Sequence, residues 1–181
     1  ADKGVVAAAA GTDLAVYCST FFDENDESGA AKEFVTGFKA WLNANSQYLT
    51  NNGGNDIVAA VSALGFDAYN TAYAAIEAAL NANAAATSLD VATALWAVSL
   101  DNAVTGSIKF DQTGDAIKDS AYIKKAASAE SFEFVKTQSV ENSATQGTAV
   151  DYSAVKASNP VVVNDTVYVG VYEPQSGNNG A

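Results

Sequence analysis

Histidine, methionine and arginine are absent from the 181-residue sequence, cysteine occurs once and proline twice. Without histidine, neither a Ser-His-Asp triad nor a histidine-activated cysteine can form. Cys18 has no internal disulfide partner, and in the apolar run "LAVYCSTFF" it is expected to act as a small core hydrophobe. With no arginine, 9 lysines face 21 acidic residues, and the net charge of -12 repels phosphate backbones and anionic headgroups, which sets nucleic acid aside as a partner. The longest apolar runs are alanine-rich and broken by Asn, Asp and Thr, too short and too polar to span a bilayer. No methionine marks a start, so Ala1 reads as a processing boundary within a longer gene product.

What is present is enough for a core: 49% of the residues are hydrophobic, and the length suits one domain or a piece of a larger one. Low charge density with many Asn, Thr, Ser and Tyr leans towards an extracellular location. "DLAVYCSTFF" has apolar residues on both alternating faces and reads as a strand buried on both sides. "AAKEFVTGFKAWL" then sets Ala31, Phe34, Val35, Phe38, Trp41 and Leu42 on one helical stripe.

After the turn-rich "NSQYLTNNGGND", a long helix is expected from an N-cap at Asp56, with Ile57, Val61, Leu64, Ala68, Ala72, Ile76 and Leu80 facing inward. Gly65 interrupts it, which implies close packing at that point. Ser88 is expected to cap a shorter helix whose Leu89, Ala92, Leu95 and Trp96 face the core. "GSIKF", "AYIKKA" and "SFEFVKTQ" read as strands, the last two joined by "ASAE". Strand, helices, then strands suit an α/β fold. Residues 141–165 are polar and weakly patterned, as in a linker, and "TVYVGVY" beyond them is a β-branched and aromatic run feeding a Gly- and Asn-rich loop.

Four segments occur in the order of one known family. "GSIKFDQTGD" resembles the Gly-x-x-x-Phe-Asp-x-x-Gly-Asp signature of type I periplasmic substrate-binding proteins, the branched-chain amino-acid receptor branch of ABC importers. "LGFDAYNTAYAAIEAAL" looks like that family's Gly-Tyr-Asp-Ala helix, "AVYCSTFF" like its Gly-Val-Tyr strand, and "AAKEFVTGFKAW" like the helix between them. The tail "DTVYVGVYEPQSGNNGA" resembles the family's opening strand and Pro-x-x-Gly loop, so an opening follows an ending. A tandem fusion, a circular permutation or a processed segment completing a neighbour would each give that order.

The resemblance implies a partial type I periplasmic-binding-protein fold with Rossmann-like lobes, incomplete in this chain. Residues 1–140 would be the C-terminal portion, 141–165 a linker, and 166–181 the first strand and loop of a next, permuted or swapped lobe. A chain of this length would leave a sheet edge for the rest of the polypeptide or another copy to cover. The implied function is extracellular capture of an amino acid or similar small polar ligand between two lobes and delivery to an ABC permease, either as a lipoprotein or in the periplasm. The alternative is a structural module whose terminal strand completes a neighbouring subunit.

The resemblance points to Phe66 and to the loop residues Ser176, Gly177, Asn178 and Asn179 as ligand contacts. Phe66 stands where the family more usually has Tyr, and a core aromatic is the competing reading. Gly106 and Gly114 are expected to take backbone geometries closed to other residues, with Asp111 and Asp115 as turn caps rather than acids. "DENDESG" alternates oxygen ligands at Asp23, Asn25 and Glu27. A calcium loop would need a glutamate where Phe34 stands, with Glu33 one place early, so the stretch reads as a solvated cap for the next helix. No paired carboxylates stand out, no cofactor is implied, and the chain reads as a binder rather than an enzyme.

Overall fold

The phenylalanine stripe of "AAKEFVTGFKAWL" forms the helix it predicts and seats the core. A computed structural model describes residues 3–27, 29–118, 120–128, 132–139, 141, 144–150, 161–163 and 166–168. The elements among them are, in chain order, α1 (Lys3–Ala9), β1 (Tyr17–Thr20), α2 (Gly29–Asn43), α3 (Ser46–Asn51), α4 (Ala60–Ala82), α5 (Ser88–Leu95), β2 (Leu100–Ala103), β3 (Gly106–Ile108), β4 (Ser120–Ala126), β5 (Phe132–Ser139), β6 (Val161–Val163) and β7 (Thr166–Tyr168). The architecture is mixed α/β.

The core collects Phe22, Phe34, Val58, Ala63 and Val104, flanked by Val35, Phe38 and Ala60. Phe34 is its centre, edge-on to Phe22 at 6.1 Å and stacked on Phe38 at 5.4 Å. Ala31, Phe34 and Leu42 of the expected stripe are buried, whereas Trp41 at its rim is exposed and stacks on Tyr48 of α3 at 4.4 Å. α3 was not legible in a turn-rich segment; the Asn45 side chain caps it by accepting the Gln47 amide hydrogen.

β1, β4 and β5 form a three-stranded sheet in the order β1-β4-β5, β2 pairs with β3, and β6 pairs with β7. Every one of these pairings is antiparallel. A parallel sheet needs a strand–helix–strand unit that returns to the same sheet. Here the helices after β1 lead into β2, which lies in a different sheet. The parallel sheet of a Rossmann-like lobe is therefore not among the described residues. β1 is an edge strand rather than the doubly buried one expected: Leu14 before it is 73% exposed, Tyr17 is exposed, and Cys18 is half-buried rather than a core thiol.

α4 exists as expected but is turned. It starts at Ala60 with Ala59 at the cap position, while Asp56 accepts a hydrogen bond from the Asn43 amide instead. Its buried residues are Ala63, Asp67, Thr71, Ala75 and Ala79, and Val61, Leu64, Ile76 and Leu80 are exposed. A polar side chain with buried partners fixes the face of an otherwise alanine-rich helix more firmly than apolar residues distributed around it. Gly65 faces open space, with nothing near the position of an added Cβ. α5 is capped one residue earlier than expected: Asp90 accepts hydrogen bonds from the Thr87 backbone amide and hydroxyl.

Residues 146–150, within the segment expected to be a linker, make three hydrogen bonds to the rest of the chain. The Gln146 side chain donates to the Trp96 carbonyl, the Gly147 amide to the Phe110 carbonyl, and the Thr93 hydroxyl to the Val150 carbonyl. A polar, unpatterned segment can still dock when its contacts run through backbone groups.

Candidate functional site

Asp67 organises the junction between α4 and the turn from β2 to β3. It is 2% exposed, and its carboxylate accepts the backbone amides of Val104 at 2.9 Å and Thr105 at 2.8 Å together with the Thr105 hydroxyl at 2.7 Å. Its own carbonyl accepts the Thr71 hydroxyl one turn on. Lys118 donates to the Thr105 carbonyl and hydroxyl and to the Ser107 carbonyl, so a cation sits one hydroxyl away from the buried carboxylate. Three donors in a water-poor setting, backed by that ammonium, satisfy a charge that burial alone would penalise.

This fixes the stretch that follows. Gly106 has φ of 92° and Gly114 a φ of 89°, a region that side chains with a Cβ avoid. Asp111 Oδ1 accepts the Thr113 amide and hydroxyl and the Asp115 amide. The Thr113 hydroxyl bond, then the Thr113 amide, hold the Asp111 carboxyl below the usual carboxylate range. Asp111 is the turn cap the sequence predicts. The Asp115 carboxylate meets the Thr113 hydroxyl rather than an amide.

Beside Asp67 lies an open cavity of about 410 Å3 bounded by α2, α4 and β2. Its apolar wall is Phe34, Phe38 and Phe66, with Phe66 5.0 Å from Phe34. Glu33, Asn70 and Asn102 supply polar groups at its rim, and among the described residues their side chains make no hydrogen bond. Gly37 opens the wall, since nothing lies within 4 Å of where its Cβ would be. An aromatic wall beside uncommitted carboxylate and amide groups suits a small molecule with an apolar part and a cationic or amide end.

Of the sequence-predicted contacts, Phe66 lines this cavity, half in and half out of the core. Ser176, Gly177, Asn178 and Asn179 lie outside the described residues. Asp67, Glu33, Asn70 and Asn102 are not singled out as site residues by the sequence alone. Asp67 carried a usable signal, being the one charged side chain between Asp56 and Glu77.

The acidic stretch 23–27 is a tether rather than a solvated cap. Asp23 is buried and paired with Lys124 of β4 at 2.9 Å, Asp26 accepts the Tyr122 hydroxyl at 2.7 Å, and Glu24 accepts the Val58 amide and pairs with Lys39 at 3.2 Å. Burial first, then the Asp26 hydrogen bond and the Asp26 and Asp23 charges, push the Tyr122 phenol up to about 12. No helix among the described residues is long and apolar enough to cross a membrane. Compared with known proteins, the chain matches no protein-family model and no curated protein sequence.

Proposed function

We propose that this chain is part of an extracellular solute-binding protein of an ABC importer, built on a partial type I periplasmic-binding-protein fold. It captures an amino acid or similar small polar ligand between two lobes and hands it to a permease, without catalysis. The observation that carries the reading is Asp67. The helix resembling the Gly-Tyr-Asp-Ala motif and the stretch resembling the Gly-x-x-x-Phe-Asp signature are joined by one buried carboxylate, beside a cavity lined by Phe66. In this reading the ligand's ammonium meets Glu33 and its side chain lies along Phe34 and Phe66, while a second lobe closes over it and shifts an open–closed equilibrium.

Calorimetric titration of the full-length protein with a panel of amino acids tests this. At least one saturable, heat-producing member is expected, weakened by Phe66→Ala; a silent panel overturns the reading. A second reading, assembly by strand addition, is favoured by the outer edges of β1 and β5, which pair with no further strand among the described residues. Regular filaments in electron micrographs would support it over transport.

A further inference from the structure

The side of α4 away from the core carries an apolar stripe that the core does not use. Beyond Phe66, which packs on Phe34, Tyr69, Tyr73, Ile76 and Leu80 follow one another at steps of four, three and four residues, which sets them in line along one side of the helix. They are between 43% and 68% exposed. The line runs for about 17 Å, carries no charge, and lies opposite the buried series from Ala63 to Ala79. A long apolar line on a helix in water is a surface made to be covered.

A second segment of the chain has the converse need. β6 and β7 form an antiparallel hairpin, Val161 opposite Tyr168 and Val163 opposite Thr166, and pair with no other strand among the described residues. A two-stranded hairpin is marginal in water unless a layer packs against it. Residues 161–172 are β-branched and aromatic, with Asp165 as their one charge.

The docked segment 146–150 brings the two within reach. The Thr93 hydroxyl holds the Val150 carbonyl against α5. Thr93 and Ala79 line the same cleft between α5 and the end of α4. Residues 151–160 then separate Val150 from β6, enough chain to cross about 35 Å when extended, whereas the far side of a helix is about 10–12 Å away. A second copy is the poorer occupant, since it would bring a net charge of -12 against another -12.

We infer that the β6–β7 hairpin of the same chain docks on the Tyr69–Leu80 face of α4 and forms a helix-on-sheet layer there. The inference does not depend on solute binding. Disulfide trapping in the full chain tests it, in a Cys18→Ser background. Val167→Cys is combined with Tyr73→Cys on the stripe or with Thr36→Cys, an exposed position on α2. An intrachain bond with Tyr73→Cys, forming about tenfold faster than with Thr36→Cys, is expected from the raised effective concentration of docked groups. Equal rates at the two positions would show an untethered hairpin and overturn the proposal. Interchain bonds at Tyr73→Cys would assign the face to a second copy and overturn it equally. Tyr69→Cys, exposed on the same line, serves as the second stripe position should Tyr73→Cys disturb the helix.

Discussion

Single side chains decide more of this molecule than their number would indicate. Asp67 accepts two backbone amide hydrogens and a hydroxyl hydrogen that find no other acceptor among the described residues. Asp67→Ala strands all three in a buried place, and a loss of about 3 kcal/mol in unfolding free energy is expected. Asp67→Asn should lose less, because its carbonyl oxygen keeps an acceptor while its amide hydrogens face the Thr105 donors. Urea unfolding with an unchanged denaturant slope reads the difference, and an Asp67→Ala variant as stable as the parent would remove the residue from its central role. Two glycines should respond in opposite directions. Gly65 lies in mid-helix with open space around it, so Gly65→Ala is expected to gain about 1 kcal/mol from helix propensity and a less free unfolded chain. At Gly147 an added Cβ would collide with the Asp111 carbonyl and stand 2.6 Å from the Trp96 ring, so Gly147→Ala should cost about 2 kcal/mol.

At the scale of elements, β4 is held to the loop before α2 by the Lys124–Asp23 pair and the Tyr122–Asp26 hydrogen bond. The phenol, raised from 10.0 to about 12, gives this tether a pH dependence with a definite sign. A pKa higher in the folded than in the unfolded chain means that stability is fully present below about 10 and is lost as pH rises towards 12. In an alkaline titration followed by phenolate absorbance, one of the eight tyrosines should ionise last, and Tyr122→Phe should remove that step and flatten the alkaline fall in stability. An unchanged profile in Tyr122→Phe would mean that the tether carries no such linkage. The elements also differ in how far the sequence revealed them. α2 was legible because its aromatics are concentrated on one stripe, and β4 with β5 because their alternation is bounded by turn residues. The existence of α4 was legible but not its rotation: apolar residues lie all round it, and the partner that selects the buried face, the Val104–Thr105 amides, is distant in sequence. The docking of residues 146–150 rests on backbone carbonyls and on a missing side chain at Gly147, neither of which leaves a pattern in composition. Phe66 is singled out through the resemblance and lines the cavity, whereas Glu33, Asn70 and Asn102 become neighbours only once α2, α4 and β2 are assembled.

For the whole molecule, charge and exposed apolar surface pull in opposite directions. Leu14 before β1, and Phe134 and Val135 on the outer strand β5, are exposed, and surfaces of this kind associate when they can. A net charge of -12 at neutral pH opposes contact between copies, most strongly at low ionic strength, where the Debye length exceeds about 10 Å. Protonating carboxylates near pH 4 removes most of that repulsion while leaving the apolar faces in place. Asp111 and Asp90, whose carboxyls are held below the ordinary range by their hydrogen bonds to Thr113 and Thr87, keep their charge and their turns longest as the pH falls. Sedimentation velocity should therefore find a monomer at neutral pH and low salt. Larger species should appear as the pH approaches the carboxylate range, before the secondary structure read by circular dichroism is lost. Substituting the sheet edge, with Val135→Lys on β5, should suppress this association if β5 provides the contact, because a charge on an edge strand blocks further pairing. Acid association that survives Val135→Lys unchanged would shift the contact to another face, and a protein that stays monomeric throughout would show that its apolar surface is already covered.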